Sequence, residues 1–247
     1  ATTDATDSSK EEIGTVPTLA QIQESGKLVV ATNATFPPFE YIFENQPVGV
    51  DIDVTNEIAT QLGVQTEILD LEFASIIESV KTGKANLAIA GITKNEERLQ
   101  QVDMSDEYIT SAQYLITTKD STLTSENLEG AIIGVQEGTT GDFYATDETK
   151  AKEVKRYSAI AAAANDLMNG RIDAVIIDKL PADNIIAITK GQLKIEEKAL
   201  TEESYAIVVA KGNTELLEAI NSVIAKLKEE GKIDQFLTEH IEKSALQ

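Results

Sequence analysis

Short apolar runs alternate with segments of helical periodicity along most of this chain. Buried strands are predicted at 28–31, 87–90 and 174–177, because each is an unbroken aliphatic run bounded by polar residues or glycine. Val54, Ile58 and Leu62 recur at helical spacing, and the helix that they predict ends at Gly63, a usual residue after a helix C-terminus. Strands that alternate with amphipathic helices are typical of α/β architecture.

One strand–helix–strand plan occurs twice. The segment TGKANLAIAG, which ends at Gly91, is echoed by NGRIDAVIID, which ends at Asp178, and LVVATN is echoed by IIGVQE. Two copies in a chain of 247 residues predict two similar lobes. Ligands of open α/β sheets bind outside the carboxyl ends of the strands, so the candidate site comprises the stretches around Asn33, Gly91, Gln136 and Asp178.

The segment LAIAGITKNEERLQQVDMSDEY at 87–108 carries the clearest candidate chemistry. Thr93 and Glu96 have the spacing of a capping box, which predicts a helix start at Thr93 with free backbone N–H groups. The Arg98 guanidinium would lie beside that start, and its planar fork matches the two oxygens of a carboxylate. The alternative interpretation is a solvated arginine that pairs with a glutamate of its own helix.

A second anion-binding turn is predicted at 136–141, where Gly138, Thr139, Thr140 and Gly141 offer backbone N–H groups between a strand and a helix. The turn is not a P-loop, because GxxxxGK[ST] is absent. Asp51 and Asp53 lack the spacing of a calcium loop, and they predict a helix start instead.

Five ordered motifs between about 19 and 241 together resemble the extracytoplasmic amino-acid-binding proteins of ABC importers, solute-binding protein family 3. The motifs are KLVVATNATFPPFEY at 27–41, GVDIDVTNEIATQLG at 49–63, the Arg98 segment, IGVQEGTTGDFY at 133–144 and NGRIDAVIID at 169–178. The resemblance implies a periplasmic-binding-protein-like type II fold, with two α/β lobes joined by a two-segment hinge. It also implies a binding function and no enzymatic activity.

The resemblance assigns roles around a cleft. Arg98 and Thr140 would hold the ligand's α-carboxylate from the two lobes, Asp178 would hold its α-amine, and Phe36 and Phe73 would cover its apolar stem. From spacing alone, Asp178 could equally cap the following helix, and the phenylalanines could be core residues. The full set of predicted ligand-binding residues is Asn33, Phe36, Glu40, Phe73, Ala90, Gly91, Thr93, Arg98, Gln136, Thr139, Thr140 and Asp178.

Ligand selectivity must then come from Asn33, Glu40, Gln136 and their neighbours. No second arginine or lysine lies in these motifs, which disfavours a dicarboxylate ligand. Glu40 could face a guanidinium or ammonium tip, and VQEGTTG at 135–141 resembles members that bind arginine or lysine. The position of Asn33 is often aspartate in such members, so a neutral polar ligand such as glutamine stays open.

Composition excludes several other classes. The net charge of −21 would be repelled by nucleic acid and by an anionic membrane surface. With no cysteine and His240 as the only histidine, the sequence predicts neither a metal site nor a cofactor. The chain has no apolar run of about 18 residues, so no membrane span is predicted.

The domain prediction has three parts. Residues 1–18, rich in Thr, Asp, Ser and Glu, are predicted to be a disordered linker. Lobe 1 is predicted at 19–116 and 212–247, and lobe 2 at 117–211, with crossings near 117–121 and 208–211. The resemblance implies a free amino acid and an ABC permease as partners, a monomer, and an extracytoplasmic location, in the periplasm or at the cell surface. It leaves open a lipid anchor attached upstream of the given sequence.

Two alternative functions share this fold. Periplasmic dehydratases would need a general acid near the ligand, for which only Glu40 or Glu137 could serve. A receptor ectodomain would need a membrane span, which this sequence does not contain.

Overall fold

The computed structural model describes residues 15–246. The helices of these residues are α1 Leu19–Ser25, α2 Val50–Leu62, α3 Ile76–Lys81, α4 Glu96–Leu99, α5 Thr140–Asp147, α6 Ile160–Met168, α7 Lys179–Ile188, α8 Thr214–Glu229 and α9 Lys232–Ser244, with a 3₁₀ turn at Phe73–Ser75. The strands are β1 Lys27–Thr32, β2 Thr35–Phe36, β3 Glu40–Phe43, β4 Gln46–Val48, β5 Gln65–Asp70, β6 Leu87–Ala88, β7 Asp103–Met104, β8 Ile109–Ser111, β9 Gln113–Thr118, β10 Ile132–Gln136, β11 Glu153–Tyr157, β12 Ala174–Asp178, β13 Leu193–Ile195, β14 Glu203–Tyr205 and β15 Val208–Val209.

Two five-stranded sheets repeat one topology. The first has the order β5-β1-β6-β15-β7, and the second has the order β11-β10-β12-β9-β13. In each sheet the second strand pairs in parallel with both neighbours, and an antiparallel strand follows. The mixed α/β fold with two sheet-containing lobes and the internal repeat that the sequence predicts are confirmed.

The chain crosses between the sheets on a two-stranded antiparallel ribbon, β8 with β14. β9 pairs with β12 in the second sheet, whereas β15 pairs with β6 in the first. The crossings predicted near 117–121 and 208–211 are therefore misplaced, because they overlap β9 and β15, which are each already paired within one of the two sheets. An apolar run predicts a strand, but it does not predict the sheet in which that strand pairs.

Helix boundaries follow from local chemistry. α2 begins after Gly49, which has a φ of 136°. A Cβ atom built at this position would lie 2.1 Å from the carbonyl oxygen of Phe39, so only glycine fits. Asp51 and Asp53 lie in the first turn of α2, which confirms the predicted helix start, and the helix ends at Gly63 in the left-handed conformation, as predicted.

Near the N-terminus, residues 1–14 of the predicted linker lie outside the described residues. Thr18 and Gln21 form a capping box at the start of α1. The carbonyl of Pro17 accepts a hydrogen bond of 3.0 Å from the side chain of Asn213. Within residues 15–246, none of the helices combines the length and apolar character that a membrane crossing needs.

The C-terminal helix α9 packs on α2 and α8. Its His240 is buried, and the ring lies 2.8 Å from the Tyr41 hydroxyl through Nδ1 and 2.7 Å from the Asp53 carboxylate through Nε2. The only histidine of the sequence therefore anchors a helix and lies outside the candidate site.

Candidate functional site

All twelve residues of the predicted ligand set line a single cavity between the two sheets. Asn33 follows β1, and Ala90 and Gly91 follow β6, while Gln136 and Asp178 end β10 and β12. These positions follow from the topology, because the carboxyl ends of parallel strands meet at one edge of each sheet. That these side chains bind a ligand stays a prediction.

Arg98 is the cation of the cavity. Its side chain is buried, its Nη1 donates to the Thr93 carbonyl at 2.7 Å, and its Nη2 donates to the Gly138 carbonyl of the second sheet's lobe at 3.2 Å. It takes part in none of the ion pairs found among residues 15–246. Burial lowers the pKa of Arg98 from its usual value, and the nearby carboxylate of Glu203 opposes that effect. A buried guanidinium without a carboxylate partner is suited to a bound anion.

The helix that carries Arg98 begins later than predicted. Asn95 is the N-cap, and its side chain accepts a 2.9 Å hydrogen bond from the Arg98 backbone N–H. Thr93 is instead held in an extended bridge with Tyr205, so the capping box predicted from Thr93 and Glu96 is wrong. Thr93 still lines the cavity, with its hydroxyl directed to Glu203.

In the second predicted anion-binding turn, two of the four backbone N–H groups already donate hydrogen bonds within the protein. The N–H of Gly138 donates to the Asp142 carboxylate at 3.0 Å, and the N–H of Thr139 donates to the Gln136 carbonyl at 3.4 Å. Thr139 caps α5 by accepting the Asp142 N–H. Four consecutive free donors are therefore not present, and the backbone groups for an anion are those of the first turn of α5, beginning at Thr140.

Asp178 is a buried acid that lines the cavity. It occupies the N-cap position of α7, yet its side chain makes no capping hydrogen bond. The carboxylate accepts instead from the Tyr205 hydroxyl, in a short hydrogen bond, and from the Ser111 hydroxyl at 3.4 Å. Burial, and then the negative charge of Glu203, raise the pKa of Asp178 to about 6. A bound ammonium group would supply the missing counter-charge.

Glu40 is a second buried acid on the cavity wall. Its side chain has no exposed surface, no hydroxyl or N–H group among the described residues donates to either carboxyl oxygen, and its hydrogen-bonding partner is the carboxyl group of Asp51. Asp51 lies next to it and accepts from the Gly91 N–H at 2.8 Å and from the Tyr108 hydroxyl at 2.7 Å. Burial, and next the Asp51 charge, raise the pKa of Glu40 well above its usual value, which favours the protonated form in the free cavity.

Aromatic rings and amides complete the wall. Phe73 lies under the Arg98 guanidinium, with 5.8 Å from the ring centroid to Cζ, and Phe36 is buried against Phe39. Gly91 has a φ of 57°, and a built Cβ there would lie 3.0 Å from the Phe36 ring. Asn33 and Gln136 meet side chain to side chain from the two lobes.

Three residues of this region escaped the sequence analysis: Gln113, Glu203 and Tyr205. Each belongs to the crossing ribbon or to the strand beside it, and each joins the cavity side chains through hydrogen bonds. The pattern of strand ends does not identify these residues, because the antiparallel pairing of β9 with β12 and of β14 with β8 brings them to this region. Within residues 15–246, no three His, Asp or Glu side chains are grouped so that they could hold a metal ion.

Comparisons with known proteins agree on one family. The description "Bacterial extracellular solute-binding proteins, family 3" matches residues 28–243. The ABC transporter arginine-binding protein 1 of Escherichia coli strain K12 is 32% identical over 211 residues, which cover 83% of this chain and 86% of that protein.

Solved structures are also similar. The arginine-bound form of truncated ArgBP from T. maritima has a TM-score of 0.80 and 40% identity, and the match covers 84% of this chain and 99% of that one. An ancestral arginine-binding protein bound to glutamine has a TM-score of 0.82 and 37% identity, and covers 87% and 97% of the two chains.

Proposed function

The chain belongs to the bacterial extracellular solute-binding proteins of family 3, and from this premise we propose that it captures a free basic L-amino acid. Arginine or lysine would be held between the two lobes and delivered to an ABC importer. The similar proteins described as arginine-binding support this class of ligand.

The observation that carries the proposal is the burial of the Glu40 carboxyl on the cavity wall beside a second acid, Asp51, with no ion pair to Glu40 among the described residues. Two neighbouring buried acids are costly to ionise unless a cation arrives. Glu40 shares the cavity with Arg98 and Asp178, which are suited to the carboxylate and the amine of any amino acid. Glu40 is therefore a wall group that a cation at the tip of the ligand's side chain would ionise and pair with.

The charged residues that line the cavity also favour a basic ligand. Its lining contains one cation, Arg98, and two acids, Glu40 and Asp178. A neutral amino acid would leave one acid uncompensated or protonated, whereas arginine or lysine would compensate all three groups. The apolar stem of either ligand would lie against Phe36 and Phe73, the aromatic rings of the lining.

A neutral polar ligand of the glutamine type is the second candidate. Protonated Glu40 can donate a hydrogen bond to an amide oxygen, and Asn33 and Gln136 offer further amide groups. The glutamine-bound ancestral protein with a similar fold supports keeping this alternative.

Related proposals concern location and partners. The family of extracellular solute-binding proteins supports an extracytoplasmic location, and we propose a permease of an ABC importer as the partner of the closed form. A monomeric state, a ligand site formed by the twelve cavity residues, and the absence of catalysis belong to the same proposal. No described contact favours the dehydratase or receptor interpretations.

The test is calorimetric titration of refolded, ligand-free protein with L-arginine, L-lysine, L-glutamine and L-glutamate in parallel. Binding of arginine or lysine alone would support the basic class, and binding of glutamine alone would favour the neutral alternative. If none of the four binds, the proposed function is overturned.

A further inference from the structure

One carboxylate oxygen of Glu203 gathers three hydrogen bonds from both sides of the cavity. Its Oε2 accepts from the Thr93 hydroxyl at 3.0 Å, from the Thr140 hydroxyl at 3.0 Å and from the Gln113 side-chain amide at 3.0 Å. Thr93 bridges to the crossing ribbon, and Thr140 begins α5 on the second sheet. Glu203 itself lies on the ribbon, in β14.

Glu203 lies on the side of Thr93 and Thr140 that faces away from the cavity. Thr93 and Thr140 line both the cavity and the open cleft outside it, whereas Glu203 lines only the open cleft. The carboxylate therefore reaches the two hydroxyls from outside, and a ligand in the cavity would meet them from inside. The two threonines form the layer between Glu203 and the ligand.

Hydroxyl chemistry then limits what the threonines can do. A hydroxyl has one proton and two lone pairs, and a carboxylate can only accept. When Thr93 and Thr140 donate their protons to Glu203, they have no proton left for the cavity. Thr140 additionally accepts from the Gln113 amide at 3.2 Å, which fixes its hydroxyl from a second side.

We propose that Glu203 is a positioning residue that turns the Thr93 and Thr140 hydroxyls into acceptors toward the cavity. These hydroxyls then receive the ligand's α-ammonium group together with Asp178, and they repel its α-carboxylate. The carboxylate is left to Arg98 and to the backbone N–H groups of α5. Glu203 thereby fixes which end of the amino acid points to which wall, an inference that rests on the proposed function.

This assignment changes the role expected of Thr140. The family resemblance implied that Thr140 holds the ligand carboxylate as a donor. Its side chain cannot serve so while it donates to Glu203, and only its backbone N–H, in the first turn of α5, can. The proposal therefore separates the functions of the two groups of one residue.

The experiment compares L-arginine with the arginine analogue that lacks the α-amino group. Glu203→Leu removes the acceptor, and we expect arginine binding to weaken at least tenfold while binding of the analogue changes less than about twofold. Glu203→Gln keeps an acceptor oxygen without the charge, and arginine binding should stay within about threefold of wild type. Glu202→Leu, an exposed neighbour with the same charge change, is the matched control.

Several results would overturn the proposal. Equal losses for arginine and the analogue would mean that Glu203 stabilises the lobes without orienting the ligand. Equal losses in the Leu and Gln variants would mean that its charge, and not its acceptor oxygen, matters. Thermal unfolding of each ligand-free variant checks the fold, and Glu203→Ala replaces the Leu variant if that one unfolds.

The wild-type titration separates this inference from the proposed function. If wild type binds glutamine and not arginine, the same comparison is made with glutamine and its analogue without the α-amino group. If wild type binds no amino acid, the proposed function fails and this inference fails with it. If wild type binds but the variants behave alike with both ligands, only this inference is overturned.

Discussion

The side-chain amide of Gln136 donates a 2.9 Å hydrogen bond to the side-chain oxygen of Asn33, across the cavity between the two sheets. Gln136 also donates to the Ser158 carbonyl of its own lobe at 3.1 Å, and Asn33 donates to the Leu71 carbonyl of its own at 2.7 Å. Each side-chain amide is therefore also held by a hydrogen bond within its own lobe. This pair and the Arg98–Gly138 contact link the lobes through protein atoms alone.

We expect this hydrogen bond to contribute to closure around the ligand. A neutral hydrogen bond stabilises by about 0.5–1.5 kcal/mol, so a double-mutant cycle of Asn33→Ala and Gln136→Ala should give a coupling of that size in ligand affinity. Calorimetry measures the four affinities, and Gln192→Ala, an exposed glutamine of the same lobe, should bind like wild type. Additive effects of the two substitutions would show that the contact does not assist closure.

Arg98→Ala should weaken amino acid binding at least tenfold, because charge-assisted hydrogen bonds to a carboxylate contribute about 1.5–3 kcal/mol. Arg98→Lys should recover little of the loss, since a single ammonium cannot present the two parallel donors of a guanidinium. Arg171→Ala, which removes a mostly exposed arginine, is the control. Wild-type affinity in Arg98→Ala would place the ligand carboxylate elsewhere.

Asp178 should link ligand binding and stability to pH in opposite directions. Its folded-state pKa of about 6 exceeds the ordinary value of 3.8, so the folded chain binds more protons between these values. The free energy of unfolding of the ligand-free protein should therefore fall as pH rises from about 4 to about 6. Ligand affinity should rise over pH 5 to 7, because only the ionised carboxylate attracts an ammonium group.

Asp178→Asn separates the two effects. At pH 7 it should raise the free energy of unfolding of the ligand-free protein by about 1–3 kcal/mol, the scale that the displaced pKa implies, and weaken amino acid binding at least tenfold. Urea unfolding and calorimetry at pH 5 and pH 7 measure both. Asp120→Asn, an exposed substitution, should change neither, and a destabilised Asp178→Asn protein with normal binding would contradict the assignment.

The candidate site shows what the sequence could predict. Asn33, Gly91, Gln136 and Asp178 were located from strand ends, because a repeated strand–helix–strand plan and the direction of parallel strands suffice to bring such ends together. Glu203 could not be found this way. It reaches the two cavity threonines from an antiparallel ribbon whose partner strand is nearly a hundred residues away in sequence, and no local pattern encodes that pairing.

The start of α4 illustrates a different limit. Thr93 and Asn95 are both residue types that cap helices, and the sequence offered Thr93 with a matching Glu96. Tertiary pairing decided between them, since the bridge of Thr93 to Tyr205 holds Thr93 in an extended conformation. Asn95 was then the remaining cap. The sequence predicted which residues line the cavity, whereas the local geometry of Thr93 depended on a distant strand.

Glu40 provides the sharpest test of the ligand class. In the free cavity, burial and the neighbouring Asp51 raise its pKa well above the usual value, which favours the protonated form. A guanidinium or ammonium tip at this carboxyl would favour the ionised form and lower the pKa. Binding of arginine or lysine should therefore release a proton, whereas binding of glutamine should leave Glu40 protonated.

Calorimetric titration of arginine in two buffers with different ionisation enthalpies measures this release. Glu40→Gln should abolish it, weaken arginine binding at least tenfold, and leave glutamine binding within about threefold, because the amide keeps the shape and loses the charge. Glu44→Gln, an exposed residue of the same hairpin, should behave like wild type in both respects. Arginine binding without proton release and unchanged in Glu40→Gln would place the cationic tip away from Glu40, because a cation that pairs with this carboxyl favours its ionised form.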